Sequence, residues 1–505
     1  MANPLFSFSA RPYMLVILLV GMAGAHFVNV ASAVPTHYLV AFILILLGAA
    51  GLIMLRRHLP QIALFGLVIA SGIPMFYRVW TQNDPLWDWK GHLEGTIPEP
   101  VINLIDLPLI LILVTAFFPV IFRRKPLPAW TWLDICILLF LATCLTSFTN
   151  AQDHLYAFFE LLRYVKYVML YVALRIFFEK ENYGGLMIVA LSCIVCLEAI
   201  VSLLTGLSGG GLMLYGTSSW AFSTTADGRN ITRVAGILGG PNVLGTWLLL
   251  PLSVFISYLF STSNQKHKTI VFLVAMVGLI TFLYTFCRSA WGGFIAGCLL
   301  LLCILEIRKR LKREYLVALL ILVPLVFIAT YVSGTASNIK SRIFSDETGA
   351  WEVRPELNSI AMRMVKEHPF AGVGLNNFQV VSHRYDLSKF TTVFDAPAHN
   401  VFMLFASETG VLGLLFFISM GAYLFYKSIL LTKNPTDDYR FCVGVSGAMY
   451  LIALFINELG DYTLRYEALL PQCALMAAFV MSVKPLHIGP KAIAPNPEPL
   501  VLGRN

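Results

Sequence analysis

The sequence predicts an all-α polytopic membrane protein with about 14 transmembrane helices and one large, partly helical loop on the outer side. Three observations carry that prediction. Of the 505 residues, 58% are hydrophobic and only 13% charged, and the mean hydropathy is +0.75. That much apolar surface exceeds what a water-soluble core encloses, whereas a bilayer absorbs it. Apolar runs near the roughly 20 residues needed to cross a hydrocarbon core about 30 Å thick recur along the chain. Finally, the basic residues gather in alternate loops. The formal charge of +8 is therefore read as an orientation signal in short inner loops, and no nucleic-acid partner is inferred from it.

The spans fall near residues 13–31, 38–55, 60–77, 101–122, 130–149, 155–178, 185–206, 234–260, 269–287, 289–305, 315–333, 399–426, 440–458 and 463–483. With the N-terminus inside, the inner loops collect Arg56/Arg57, Arg123/Arg124/Lys125, Arg175/Lys180 and Lys266/Lys268. They also hold the run Arg308, Lys309, Arg310, Lys312, Arg313, and then Lys427, Lys433 and Arg440. The short outer loops hold far fewer, namely Arg78, Lys90, Arg229, Arg233, Arg288 and Arg465, which is the positive-inside pattern. Ala31-Ser32-Ala33 imitates a signal-peptidase site, but the long apolar run before it favours an uncleaved first helix. The chain thus divides into helices 1–11 in residues 1–333, a cap loop in 334–398, helices 12–14 in 399–483 and an inner tail in 484–505. The nine cysteines lie mostly inside apolar runs, where they pack and form no disulfide framework.

Loop 334–398 is too long and polar for a connector. Within it, Pro355 to His368 has helical spacing, with Pro355 as a first-turn residue and Pro369 as the stop. An amphipathic helix lying on the membrane or over a pocket follows. The outer segment 207–232, rich in Gly, Ser and Thr, reads as flexible.

Threading places several strongly polar positions at the outer ends of different spans: Arg233, Arg288, His399 with Asn400, and the Asp461/Arg465 pair. Arg288 sits in a tight turn between two spans, and its planar fork suits phosphate oxygens. Arg233 opens a span in which Gly239, Gly240 and Pro241 interrupt helical hydrogen bonding beside Asn242, as in broken helices that line cavities. Arg163 and Lys166 lie within a span, and charge at such depth is a functional signal by default, although Glu160 at i−3 offers Arg163 a structural partner. His399 is the candidate proton acceptor at a helix start. Glu408, nine residues on, lies near the opposite face of that helix and cannot orient it.

At this point the residues resemble the O-antigen ligase and O-antigen polymerase superfamily of bacterial inner-membrane glycan transferases. The ligase signature, His-Asn followed after nine residues by Gly, two residues and Gly, reads His399-Asn400, Gly410 and Gly413. It follows His368-Pro369-Phe370-Ala371-Gly372-Val373-Gly374, continuing to Phe378, which looks like the family's H/N-P-x-x-G-x-G-x-x-x-F element. Arg233 with Pro241-Asn242, and Arg288-Ser289, resemble the family's arginine elements. The resemblance covers roughly residues 150–430. It implies a GT-C-like fold with a periplasmic cap and a periplasm-facing site. The implied reaction moves a glycan from an undecaprenyl-diphosphate carrier to a hydroxyl on a growing glycan or a lipid A core, with inversion. No metal, nucleotide sugar or other cofactor is implied. Catalytic roles then fall to His399, Arg288 and Arg233, and substrate-binding roles to Arg163, Lys166, Asn242 and Asn400. Membrane lipids, and for a polymerase a chain-length regulator, are the further partners. The size of the chain tilts the expectation slightly towards polymerisation over ligation, with protein O-glycosylation as a third variant. A lipid-linked oligosaccharide flippase or an anion transporter is the competing class, but no second copy of the 233–245 element supports the repeats expected of one.

Overall fold

A computed structural model of the chain describes residues 58–73, 76–78, 101–123, 126–178, 183–208, 212–214, 217–219, 222–226, 229–261, 264–311, 350–388, 396–433 and 437–483. The expected spans 13–31, 38–55 and 315–333, the Ala31-Ser32-Ala33 site and the tail 484–505 lie outside these residues. Every other expected span corresponds to a helix: α1 (Leu59–Ser71), α2 (Asp106–Arg123), α3 (Trp132–Ser147), α4 (His154–Phe178), α5 (Gly184–Ser208), α6 (Pro241–Ser261), α7 (Gln265–Tyr284), α8 (Arg288–Ile307), α11 (Val401–Leu431), α12 (Asp438–Glu458) and α13 (Leu470–Ser482). Between α8 and α11 come α9 (Ala350–Glu367) and α10 (Phe378–Tyr385), and a 3-10 turn (Thr463–Arg465) precedes α13.

Among the described residues seven helices, α2, α5, α6, α7, α8, α11 and α12, are long and apolar enough to cross a membrane. Helix α4 is 25 residues long but carries Glu160, Arg163, Lys166 and Arg175, while α1, α3 and α13 are shorter apolar helices. Large apolar side chains point outward from this bundle, among them Phe118 and Phe122 on α2, Leu273 on α7, Leu299 on α8 and Leu415 on α11. A belt of that kind is stable against lipid and not against water. The chain is a multi-pass membrane protein.

Among the described residues, strands form three antiparallel ribbons: β1 (Phe76–Arg78) with β2 (Val101–Asn103), β3 (Leu212–Leu214) with β4 (Thr217–Ser219), and β5 (Phe222–Ala226) with β6 (Arg229–Arg233). The segment read as flexible therefore contains two hairpins. Its Thr, Phe and Ile residues favour strands, and Asp227-Gly228 between β5 and β6 is a hairpin dipeptide. The register pairs Phe222 with Arg233, so β6 ends on the first candidate arginine.

Three helix boundaries differ from expectation. Residues 236–239 form a turn, and α6 starts at Pro241, where the missing amide is harmless; the glycines lie before the helix and do not break it. Helix α9 begins at Ala350, so Pro355 lies inside it. Its apolar face, Leu357, Ile360, Ala361 and Met364, packs on Phe378, Val381, Ala398, Leu404 and Tyr462, which makes α9 a cover over the start of α11. The last span resolves into the 3-10 turn and the short α13.

Helix α11 is broken at Gly410, where φ is 78° and ψ 175°. The break exposes backbone groups, and the 368–374 loop takes them up. Val373 N donates to Ser407 O at 2.8 Å, Gly374 N to Glu408 O at 3.1 Å, and Val411 N to Pro369 O at 2.8 Å. A Cβ on Gly410 would stand 2.2 Å from Phe370 O, and one on Gly372 2.3 Å from the Glu408 backbone. Two separate glycine motifs thus make one joint, because only glycine combines positive φ with this approach.

Helices α8, α6 and α11 all pack on α12. The starts of α6, α8 and α11 meet the end of α12 at one end of the bundle. At the other, Arg310 pairs with Asp438 at 3.0 Å and Arg175 with Asp134 at 2.9 Å.

Candidate functional site

The site is assembled where β6, the start of α6, the α7–α8 turn, the start of α11 and the α12–α13 link converge. Arg233, only 8% exposed, ends β6. Its Nε donates to Thr285 O at 2.9 Å and its Nη2 to Asn242 Oδ1 at 2.6 Å. Val234 N also bonds Tyr284 O at 3.1 Å, tying the strand to the α7–α8 turn. Asn242 Nδ2 in turn donates to Asp461 Oδ2 at 2.7 Å. Three residues from distant parts of the chain therefore form one chain of hydrogen bonds, Arg233–Asn242–Asp461.

Asp461 is 3% exposed. Its Oδ1 accepts from Tyr462 N at 2.9 Å, and its backbone oxygen accepts from Val401 N at 3.1 Å, which fixes it to the first turn of α11. Burial pushes its carboxyl above the usual range, and the His399 imidazole, the Tyr462 amide, Arg354 and Arg233 act against that rise. Burial also lowers Arg233, and the like charges of Arg288 and Arg354 add to the lowering against Cys287 and Asp461. Arg233 thus feels the charges of Asp461, Arg288 and Arg354, and Asp461 those of His399, Arg354 and Arg233.

His399 stands immediately before Asn400, the residue that caps α11. Asn400 Oδ1 accepts from Phe402 N at 3.0 Å and Met403 N at 3.1 Å, a side-chain cap of the usual kind. His399 Nδ1 lies 3.2 Å from Pro397 O. A carbonyl only accepts, so this contact places a ring proton on Nδ1. The ring stacks edge-on against Tyr462 with centroids 4.9 Å apart.

Arg288 is the first residue of α8, following Phe286, a non-glycine with φ of 48°, and the N-cap Cys287. A Cβ on Gly460 would stand 3.5 Å from Ser289 Cβ and 3.9 Å from Arg354 Nη1. The start of α8, the cover helix α9 and the residue before Asp461 are therefore neighbours. Arg354 was not singled out in the sequence. It is one of many charges in the 334–398 loop, and only the packing of α9 brings it here.

The structure separates the remaining expected site residues from this cluster. Arg163, 5% exposed, binds Glu160 and donates to Arg465 O at 2.6 Å. Lys166 pairs with Asp106 at 3.2 Å and with Glu467. Asp461 and Arg465 do not pair with each other. Arg465 instead binds Glu408 at 2.9 Å, Glu160 at 3.3 Å and Asn376 Oδ1 at 2.5 Å, because the 3-10 turn points residues 461 and 465 to different sides. Glu408 faces this second network, away from His399 as its helical offset requires. Two polar centres are thus distinct: one at Arg233, Asn242, Asp461 and His399 beside Arg288, and a buried one of ion pairs at Glu160, Arg163, Glu408 and Arg465.

Residues 271–418 match the family model described as O-antigen ligase. The match supports the resemblance to the O-antigen ligase and polymerase superfamily over this stretch. The stretch contains Arg288, the glycine joint and His399-Asn400, while Arg233, Asn242 and Asp461 lie outside it and join the site through the hydrogen bonds above. No curated protein matches the chain. The match supports a glycosyltransferase-type ligase or polymerase activity in polysaccharide assembly, with a lipid-linked glycan and an acceptor as the substrates such a family uses.

Proposed function

We propose that the protein moves a glycan from an undecaprenyl-diphosphate carrier to an acceptor hydroxyl on a growing surface polysaccharide or a lipid A core. The site end of the bundle then faces the periplasm, and the Arg175/Arg310 end the cytoplasm, of a bacterial inner membrane. The observation that carries the reading is the hydrogen-bonded run Arg233–Asn242–Asp461, with the charges of Arg288 and Arg354 close to Arg233 and the His399 imidazole close to Asp461. Guanidinium groups in a poorly hydrated site bind and stabilise a departing diphosphate through charge-assisted hydrogen bonds.

His399 Nε2 takes the proton from the acceptor hydroxyl while that oxygen bonds to the anomeric carbon. The carbon–oxygen bond to the carrier breaks on the opposite face, and its electron pair leaves with the diphosphate onto Arg233 and Arg288. One displacement of this kind inverts the anomeric configuration. Asp461 stabilises the imidazolium, and Asn242 holds Asp461 and Arg233 in register. Asn400 fixes His399 through the helix cap, whereas Arg163 and Lys166 support the site through their ion pairs. The test is transfer by purified protein from an undecaprenyl-diphosphate oligosaccharide, with glycan and lipid A core acceptors offered separately. Product with inverted linkage in wild type, and its loss in His399→Ala, support the reading. Undiminished product in His399→Ala removes the general base.

A further inference from the structure

We infer that Glu198, on the inner wall of α5, is a positioning residue for the Arg233–Asn242 pair, a role that rests on the function proposed above. Glu198 is fully buried within an otherwise apolar helix. Its Oε2 accepts the Ile237 amide at 2.8 Å, while Oε1 has no hydrogen-bond partner. Ile237 lies in the turn 236–239 that joins β6 to α6, so Arg233 ends one arm of the turn and Asn242 begins the other. A second observation is independent of the hydrogen bond. Gly236 has φ of 58°, and a Cβ there would lie 2.0 Å from Glu198 Oε2 and 3.3 Å from a Leu244 methyl. The turn is folded directly onto the carboxyl group.

A carboxyl buried among apolar side chains is costly unless it performs a task. Here it supplies the acceptor that an amide in the tight turn, before α6 begins, lacks from its own helix. Without it, Ile237 N loses its partner and the turn relaxes. Arg233 and Asn242, which donate to Thr285 O at 2.9 Å and to Asp461 Oδ2 at 2.7 Å, then lose their alignment. The contact is made through an oxygen acceptor and does not call for a charge. Glu198→Gln keeps that acceptor; Glu198→Ala removes it.

The test uses the full-length protein in detergent, with undecaprenyl diphosphate as the binding probe and amide hydrogen exchange across residues 234–240 as a second readout. Glu198→Ala is expected to weaken binding about tenfold, the scale of one lost hydrogen bond to an ionic group. It should also speed exchange at Ile237 and leave exchange in α11 and α12 unchanged. Glu198→Gln is expected to restore both readouts to within about twofold of wild type, a change under about 0.5 kcal/mol. Gly236→Ala should reproduce Glu198→Ala by displacing the same contact. Wild-type binding and exchange in Glu198→Ala overturn the proposal, as does Glu198→Gln behaving like Glu198→Ala. If the wild-type protein binds no undecaprenyl diphosphate, the donor assignment fails instead, and exchange at 234–240 alone decides the anchoring role.

Discussion

At the scale of single residues, roles separate by what each side chain already touches. Arg233 has its Nε and Nη2 held by Thr285 O and Asn242 Oδ1, so the direction of its guanidinium is set before any donor arrives. Replacing Arg288 with Lys keeps the charge and removes the planar fork. Transfer is expected to fall by about tenfold or more, the loss of one bidentate contact, measured as kcat/KM for the lipid-linked donor; full activity would mean that Arg288 only anchors the helix at the headgroups. Asp461 carries the pH prediction. Burial raises its folded value, so it gains a proton, and stops supporting the His399 imidazolium, at a higher pH than an ordinary aspartate. Activity is therefore expected to decline on the acid side, where the base His399 and its support Asp461 take up protons, and Asp461→Asn is expected to shift that limb to lower pH and to cost most of the rate. An unchanged acid limb in Asp461→Asn would assign it to another group. Sequence reading singled out Arg233, Arg288, His399 and Asn242 because each is a polar residue at an apolar boundary. It placed Asp461 and Arg465 together at one outer end, whereas the fold sends them to separate networks, Asp461 to Asn242 and Arg465 to Glu408. Glu198 gave the one signal that could have been used, a lone carboxylate in an apolar run, whereas Arg354 had none.

At the scale of elements, the broken α11 and the 368–374 loop form one unit. Gly410→Ala forces a β-carbon against Phe370 O while demanding positive φ, so the joint opens. The expected result is lower folded yield and a loss of about 1–3 kcal/mol from backbone strain alone, read as a drop in apparent Tm. A Tm equal to wild type would show that the helix straightens without cost. Arg465 joins the 3-10 turn to α4 and α11 through Glu160 and Glu408. Arg465→Ala leaves Glu408 buried without its cation, and Glu160 with Arg163 alone, and is expected to cost about 3–5 kcal/mol, checked by the same melt; a shift under one degree would contradict the structural reading of this network. The glycine spacings were legible as motifs, yet their meeting was not, because a helix break and its filling loop lie 36 residues apart in numbering, from 374 to 410, and only the fold joins them. The hairpins at 212–233 were missed for a simpler reason: Gly, Ser and Thr dominate the composition and hide the strand-forming alternation.

At the scale of the whole molecule, hydropathy made the helices legible, since long apolar runs have few alternatives in lipid. It gave the ends less well, because α3 and α13 fall short of a full span and α4 carries four ionised residues. The alternation of helix direction gathers the site at one end of the bundle and Arg175, Arg308 and Arg310 at the other. Single cysteines introduced at Ser388 and at Lys433 are therefore expected to react with a membrane-impermeant maleimide from opposite sides in right-side-out vesicles, Ser388→Cys from outside. Labelling of both from one side would reject this topology.

The central claim is that Arg233 and His399, distant in sequence, act within one site. The most direct test is a double-mutant cycle on single-turnover glycan transfer by purified protein, using wild type, Arg233→Ala, His399→Ala and the double variant. Residues that act as a unit are non-additive, so the double variant is predicted to be no slower than the slower single one. A double variant whose loss equals the product of the two single losses would contradict a shared site.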